Sequence, residues 1–133
     1  MSGSTRTHKQ KVGKLGEDIA CRYLVERGFW IIERNFWRKW GEIDIIASRK
    51  NLLHFIEVKT VSSDFGKDDG DSIDAYRPEE NVHPRKLKRL ARAVATYLAR
   101  LDDNTEWQFD VMAVLLDCDA KKARIRYIED IVL

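Results

Sequence analysis

Cysteine is scarce in this sequence of 133 residues: there are two, Cys21 and Cys118. Two thiols build neither a disulfide framework nor a four-ligand zinc site, so both are expected as reduced thiols of a cytoplasmic protein. Long apolar runs are missing as well. The longest, 111–116, has six residues, where a bilayer span needs about twenty, so no membrane partner is expected. The opening Met-Ser-Gly-Ser-Thr-Arg-Thr-His has no apolar stretch of the kind a signal peptide carries. Internal repeats and domain linkers are absent too, and the chain reads as a single domain, 1–133.

Charge is plentiful. Charged residues make up 35% and apolar residues 44%, a globular composition that excludes disorder of the whole chain. A chain of this length buries roughly 65–70% of its unfolded surface, enough for one core. The net charge of +2, from 24 basic and 22 acidic residues, conceals segregation. Residues 1–14 carry Arg6, Lys9, Lys11 and Lys14 without an acid, and 84–100 carry Arg85, Lys86, Lys88, Arg89, Arg92 and Arg100 without an acid. Residues 64–80 hold seven acids against Lys67 and Arg77. Single-sign clusters steer polyanions, although a solvated helix face is the commoner origin of any one of them.

Periodicity supplies the elements. Val12, Leu15, Ile19 and Tyr23 return at helical steps and predict a helix over 8–27, stopped by Gly28. Residues 29–35, 42–47 and 52–61 read as three strands of an antiparallel meander. Residues 62–83 are expected to be a mobile acidic loop and 1–10 a flexible basic arm. Pro84 then opens a helix with an apolar stripe of Leu87, Leu90, Ala91, Val94, Leu98 and Leu101 and a basic far side. Two strands follow, 108–116 and 123–128. The result is an α/β domain, one mixed central sheet flanked by helices.

Carboxylates inside apolar strands need an explanation, because burying one without a partner costs several kcal/mol. Asp44 lies between Ile43 and Ile45, and Glu57 and Lys59 lie among Phe55, Ile56, Val58 and Val61. Residues two apart share a strand face, so Glu57 and Lys59 project together, and a hairpin partner brings Asp44 to the same cleft. Two such carboxylates offer the hard oxygen ligands that Mg²⁺ or Mn²⁺ prefers. A neighbouring lysine can hold the attacking water, a combination suited to phosphodiester hydrolysis. A salt bridge of Lys59 to Glu57 or Asp44 is the plainer alternative. Glu42 has the parity of Asp44 but sits at the strand start, where it can stay solvated.

Gly16-Glu17, Asn35, the run from Gly41 to Ala47, the run from Phe55 to Thr60 and Pro84-Arg85-Lys86 with Arg89-Leu90 together resemble the YraN family of uncharacterised bacterial proteins. That family is placed in the PD-(D/E)XK nuclease superfamily, with distant similarity to archaeal Holliday junction resolvases. The resemblance spans about residues 10–116 and implies a restriction-endonuclease-like αβββαβ core. It implies Asp44 and Glu57 as metal ligands, Lys59 as the motif lysine and Glu17 as a further metal or water ligand from the first helix. It also suggests a homodimer.

Nucleic-acid contacts are expected from Arg85, Lys86 and Arg89 in the first turns of the second helix, where backbone N–H groups add to their pull on phosphate. Arg38 and Lys39 between Trp37 and Trp40, at the tip of the first hairpin, can touch phosphates beside a base-stacking indole; the alternative is a tryptophan covering the sheet. His54 has the opposite parity from Glu57 and reads as a packed sheet residue. The expected function is therefore Mg²⁺- or Mn²⁺-dependent cleavage of DNA, branched or flapped. The alternative is a non-catalytic module binding nucleic-acid structure or a protein partner.

Overall fold

A computed structural model describes residues 7–62, 84–117 and 119–133. The expected acidic loop, apart from Ser62, and Cys118 lie outside the described residues. The elements are α1 (His8–Glu26), β1 (Trp30–Arg38), β2 (Gly41–Arg49), β3 (Leu52–Ser62), α2 (Pro84–Leu98), β4 (Trp107–Asp117) and β5 (Lys122–Ile128). The strands form one sheet in the order β1-β2-β3-β4-β5, antiparallel except for the parallel pair β3 and β4. A parallel neighbour requires a crossover, and α2 lies within it. The α/β order read from the sequence is the one observed.

Alternation along the strands sorts the core into two faces. Leu53, Phe55, Phe109 and Val111 pack against Leu90, Ala93, Val94 and Tyr97 of α2. Ile56, Met112, Val114 and Leu116 pack against Ala20 and Leu24 of α1. The α2 contact stripe is rotated from the expected one: Ala93 and Tyr97 are buried, whereas Leu101 lies beyond the helix and is exposed. Tyr97 explains the rotation, since its ring meets Phe36 and Phe55 edge-on at 5.4 and 5.6 Å. Among the described residues no helix is long and apolar enough to cross a membrane.

α1 begins at His8, where the helical spacing predicts it. Thr7 caps it, its hydroxyl accepting from the Gln10 N–H while the Gln10 side chain accepts from the Thr7 N–H; residues 1–6 lie outside the described ones. Gly28, at φ +87°, ends the helix. The buried stripe of α1 is Gly16, Ala20 and Leu24, and Leu15, expected inside, is half exposed. Small residues face the sheet because the approach is close: a Cβ on Gly16 would stand 1.9 Å from the Thr60 hydroxyl oxygen and 2.8 Å from its Cβ. Threonine is stiff about χ1, so it cannot simply turn away. Gly16→Ala is expected to lose about 1–3 kcal/mol in chemical denaturation, and an unchanged midpoint would contradict this packing.

Candidate functional site

β1 and β2 lose their alternation together. Asn35 has φ +53°, left-handed in the middle of a strand. The pairs Arg34 with Ile45 and Phe36 with Ile43 bracket it, leaving Asn35 across from Asp44. Ile45 belongs to the α1-side core, yet Ile43, two residues away, belongs to the α2-side core. Asp44 stands at this seam. Its Oδ2 accepts the Val58 N–H at 2.7 Å, just past the last β2–β3 pair, Ile45 with Ile56. A carboxylate thus takes a backbone donor of β3 and, one step along the register, comes to Glu57.

Other carboxylates converge on the seam. The Asn35 amide, oriented with its nitrogen toward two acceptors, donates to Glu42 Oε1 and Glu17 Oε1, each at 3.1 Å. Arg34 lies 3.7 Å from Glu17 and 2.8 Å from Asp18. Glu57 pairs with Lys86 of α2, Oε1 to Nζ 2.9 Å. Burial raises the Asp44 carboxyl well above the ordinary aspartate value, and the negative charge of Glu57 raises it further, against the Val58 hydrogen bond. Glu17 is also raised, first by burial, with Arg34 pulling the other way and Glu42 adding to the rise. Burial is the leading cause of both shifts.

Glycine brings the basic helix over them. A Cβ on Gly41 would meet the Arg89 carbonyl oxygen at 2.6 Å, so the hairpin touches the α2 backbone directly. The result is an open cleft of about 500 Å³. Gly41, Glu42, Asp44 and Glu57 line it from the sheet, and Arg85, Lys86, Arg89 and Leu90 from α2. A carboxylate floor under a cationic wall suits a cation below and a phosphate above.

The expected residues are thus distributed unevenly. Asp44, Glu57, Arg85, Lys86 and Arg89 meet in the cleft, and Glu17 joins through Asn35 and Glu42. Glu42, ranked below Asp44 in the sequence reading, lines the cleft. Lys59 is exposed, on the strand face of Glu57 by alternation, while the salt bridge of Glu57 runs to Lys86. Arg38 is folded back, its guanidinium 4.3 Å over the Phe36 ring and bonded to the Trp37 carbonyl at 2.7 Å. Lys39 is exposed in the turn. Trp40 is half-buried under the Arg92 guanidinium, 4.2 Å away, whereas Trp37 is exposed.

Sequence reasoning missed a second polar cluster. His54 is buried and packs edge-on to Phe29 at 4.9 Å, as expected of a packed sheet residue. Its Nδ1 lies 2.6 Å from Oδ2 of Asp110, which is fully buried. Asp110 also accepts from the Tyr127 hydroxyl, from Gln108 Nε2 at 2.8 Å and from the Asp130 N–H at 2.9 Å. Ligand atoms of His54, Asp110 and Glu129 lie within 4.8 Å of one another. Four donors already serve Asp110, so the cluster closes on itself as a fold-holding network. The signal that singles out Asp44 was present here too: Asp110 lies between Phe109 and Val111.

Comparison with known proteins places the site inside a matched region. The profile of Uncharacterised protein family UPF0102 matches residues 16–114. A UPF0102 protein of Helicobacter pylori (strain HPAG1) is 39% identical over 107 residues, 80% of this chain and 82% of the relative. One of Campylobacter fetus subsp. fetus (strain 82-40) is 33% identical over 119 residues, 90% of this chain and 91% of the relative. One of Campylobacter jejuni subsp. jejuni (strain 81-176) is 36% identical over 105 residues, 79% and 84%.

Proposed function

We propose that this chain, which belongs to the uncharacterised protein family UPF0102, is a nuclease-like protein of the PD-(D/E)XK type, hydrolysing phosphodiester bonds of DNA with Mg²⁺ or Mn²⁺. The observation that carries the reading is the cleft in which Asp44 and Glu57 lie under Arg85, Lys86 and Arg89. The resemblance in its motifs and the helix, three-strand, helix order support it. Branched or flapped DNA is the substrate class, and a homodimer the form in which two sites would cut opposite strands.

The donor set fits a hard divalent cation: oxygen ligands, two of them raised in pKa chiefly by burial, so that an ion beside them would stabilise their charged forms. Asp44 and Glu57 would hold the ion with Glu17 assisting; when bound, it supplies a water of lowered pKa and charge to offset the phosphoryl oxygens. The rest is done by this chain's own groups. The Val58 N–H fixes Asp44, and Asn35 fixes Glu17 beside Glu42. Arg85 and Arg89 hold a phosphate over the floor, with Lys39 contacting the strand farther out at the hairpin turn. Arg38, turned onto Phe36, shapes that turn. Lys59, on the face of Glu57, holds the attacking water.

Incubation with single-stranded, duplex, flapped and four-way DNA in Mg²⁺ or Mn²⁺ tests the reading. Cleavage is expected for wild type, reduced about a thousandfold in Asp44→Asn and about a hundredfold in Lys59→Ala. One observation favours a non-catalytic binding module instead. Among the described residues, the trio whose ligand atoms meet within 4.8 Å is the His54 group, whereas Lys86 sits on Glu57 in the cleft. Binding without cleavage on every substrate would select the module.

A further inference from the structure

Lys86 belongs to both halves of the cleft. From the first turn of α2 it stands in the cationic wall with Arg85 and Arg89, yet its Nζ lies 2.9 Å from Glu57 Oε1. Its side chain is 51% exposed while that of Glu57 is 16% exposed, so the lysine end of the pair is the one with room to move. A lysine carries a compact charge on a flexible stem and can change partner by rotamer alone. Glu57 in turn shares the floor with Asp44, whose charge it opposes. A divalent cation drawn to these two carboxylates would meet the Lys86 ammonium already there, and like charges on one carboxylate repel.

We infer that Lys86 is an exchangeable counter-ion: it holds Glu57 while no divalent cation is present, and it passes to a phosphate of the nucleic-acid strand when the cation takes Glu57. This rests on the reading of the cleft as a metal and nucleic-acid site. The consequence is a pair of effects of opposite sign. Removing the charge relieves competition for Glu57, so the cation binds better; it also removes a phosphate contact, so DNA binds worse. A residue with a purely structural role would weaken both or neither.

The test uses the full chain with Lys86→Gln and Lys86→Arg. Mn²⁺ is titrated by calorimetry, and a fluorescent flapped DNA by anisotropy with Ca²⁺ in place of Mn²⁺. Lys86→Gln is expected to bind Mn²⁺ roughly three- to tenfold more tightly. It should bind DNA several-fold more weakly, with a logarithmic salt slope shallower by about one. Lys86→Arg, which keeps the charge, is expected near wild type in both. Melting curves that match wild type establish that the variants fold. Mn²⁺ affinity unchanged or weakened in Lys86→Gln, or DNA affinity unchanged, overturns the inference. If wild type binds Mn²⁺ and Asp44→Asn does not, such a result overturns the inference alone. If wild type binds no Mn²⁺, the reading of the site falls and the inference with it.

Discussion

Asp44→Asn is expected to abolish Mn²⁺ binding in the cleft and to cost about a thousandfold in hydrolysis, while making the protein more stable at neutral pH. Stabilisation on the order of 1 kcal/mol, ~3–5 °C in Tm, is expected. Loss of a ligand explains the first half. The second follows from the environment of Asp44, whose carboxyl is raised well above its ordinary value by burial and then by Glu57. An acid with a folded-state pKa above the unfolded one favours the native state fully below the unfolded value. That contribution is lost as pH rises through the folded value. Wild type should therefore lose stability relative to Asp44→Asn as pH climbs from the ordinary aspartate value through the raised one, with the difference constant above it. The amide still offers an oxygen to the Val58 N–H, so the hydrogen bond of 2.7 Å survives the exchange. Thermal melts of both proteins across this window, without divalent cations, check the claim. A variant less stable than wild type at neutral pH would contradict it.

Asp110→Ala should have the largest effect on folding, a loss of about 3–5 kcal/mol in chemical denaturation. Burial by itself would push the Asp110 carboxyl up. The His54 ring, the Tyr127 hydroxyl, the Asp130 N–H and Gln108 outweigh burial and hold it below the ordinary value. Truncation leaves those donors without their acceptor inside the protein. Asp110→Asn should be nearly as damaging, since one end of the amide must present N–H groups to donors. The pH dependence has the opposite sign from that of Asp44. A lowered acid contributes stability that is present above its unfolded pKa and lost as pH falls through its folded pKa, so this part of the stability should disappear only in strong acid. An Asp110→Asn protein as stable as wild type would refute the network.

The order of elements was legible because apolar residues return at steps of three and four in the two helices, while the strands are short runs rich in β-branched, aromatic and other apolar residues. One boundary and one buried position were misjudged for local reasons. Asn35 looked like the end of β1, since asparagine tolerates positive φ and favours turns, but here it is a left-handed residue inside a strand that runs to Arg38. Leu15 looked buried by its helical spacing with Val12 and Ile19, whereas contact with Thr60 demands glycine at position 16 and turns the helix accordingly. Asp44 and Glu57 were legible because charge on an apolar strand is conspicuous. Asp110 met the same criterion and passed unnoticed. Asn35 as the link between Glu17 and Glu42 was not legible, since the seam depends on backbone angles in two strands at once. Neither was the pairing of Glu57 with Lys86, not Lys59: that depends on how closely α2 settles on Gly41, which no spacing along the chain encodes.

Calorimetric titration of Mn²⁺ into wild type and into Asp44→Asn/Glu57→Gln most directly tests whether the cleft is a metal site. Wild type should bind with release of protons, because the raised Asp44 carboxyl must ionise to serve as a ligand. Its affinity should fall as pH is lowered through that raised pKa, and the double variant should show no binding at this site. Equal affinity in the two proteins, or no binding to wild type at any pH above that pKa, would contradict the account.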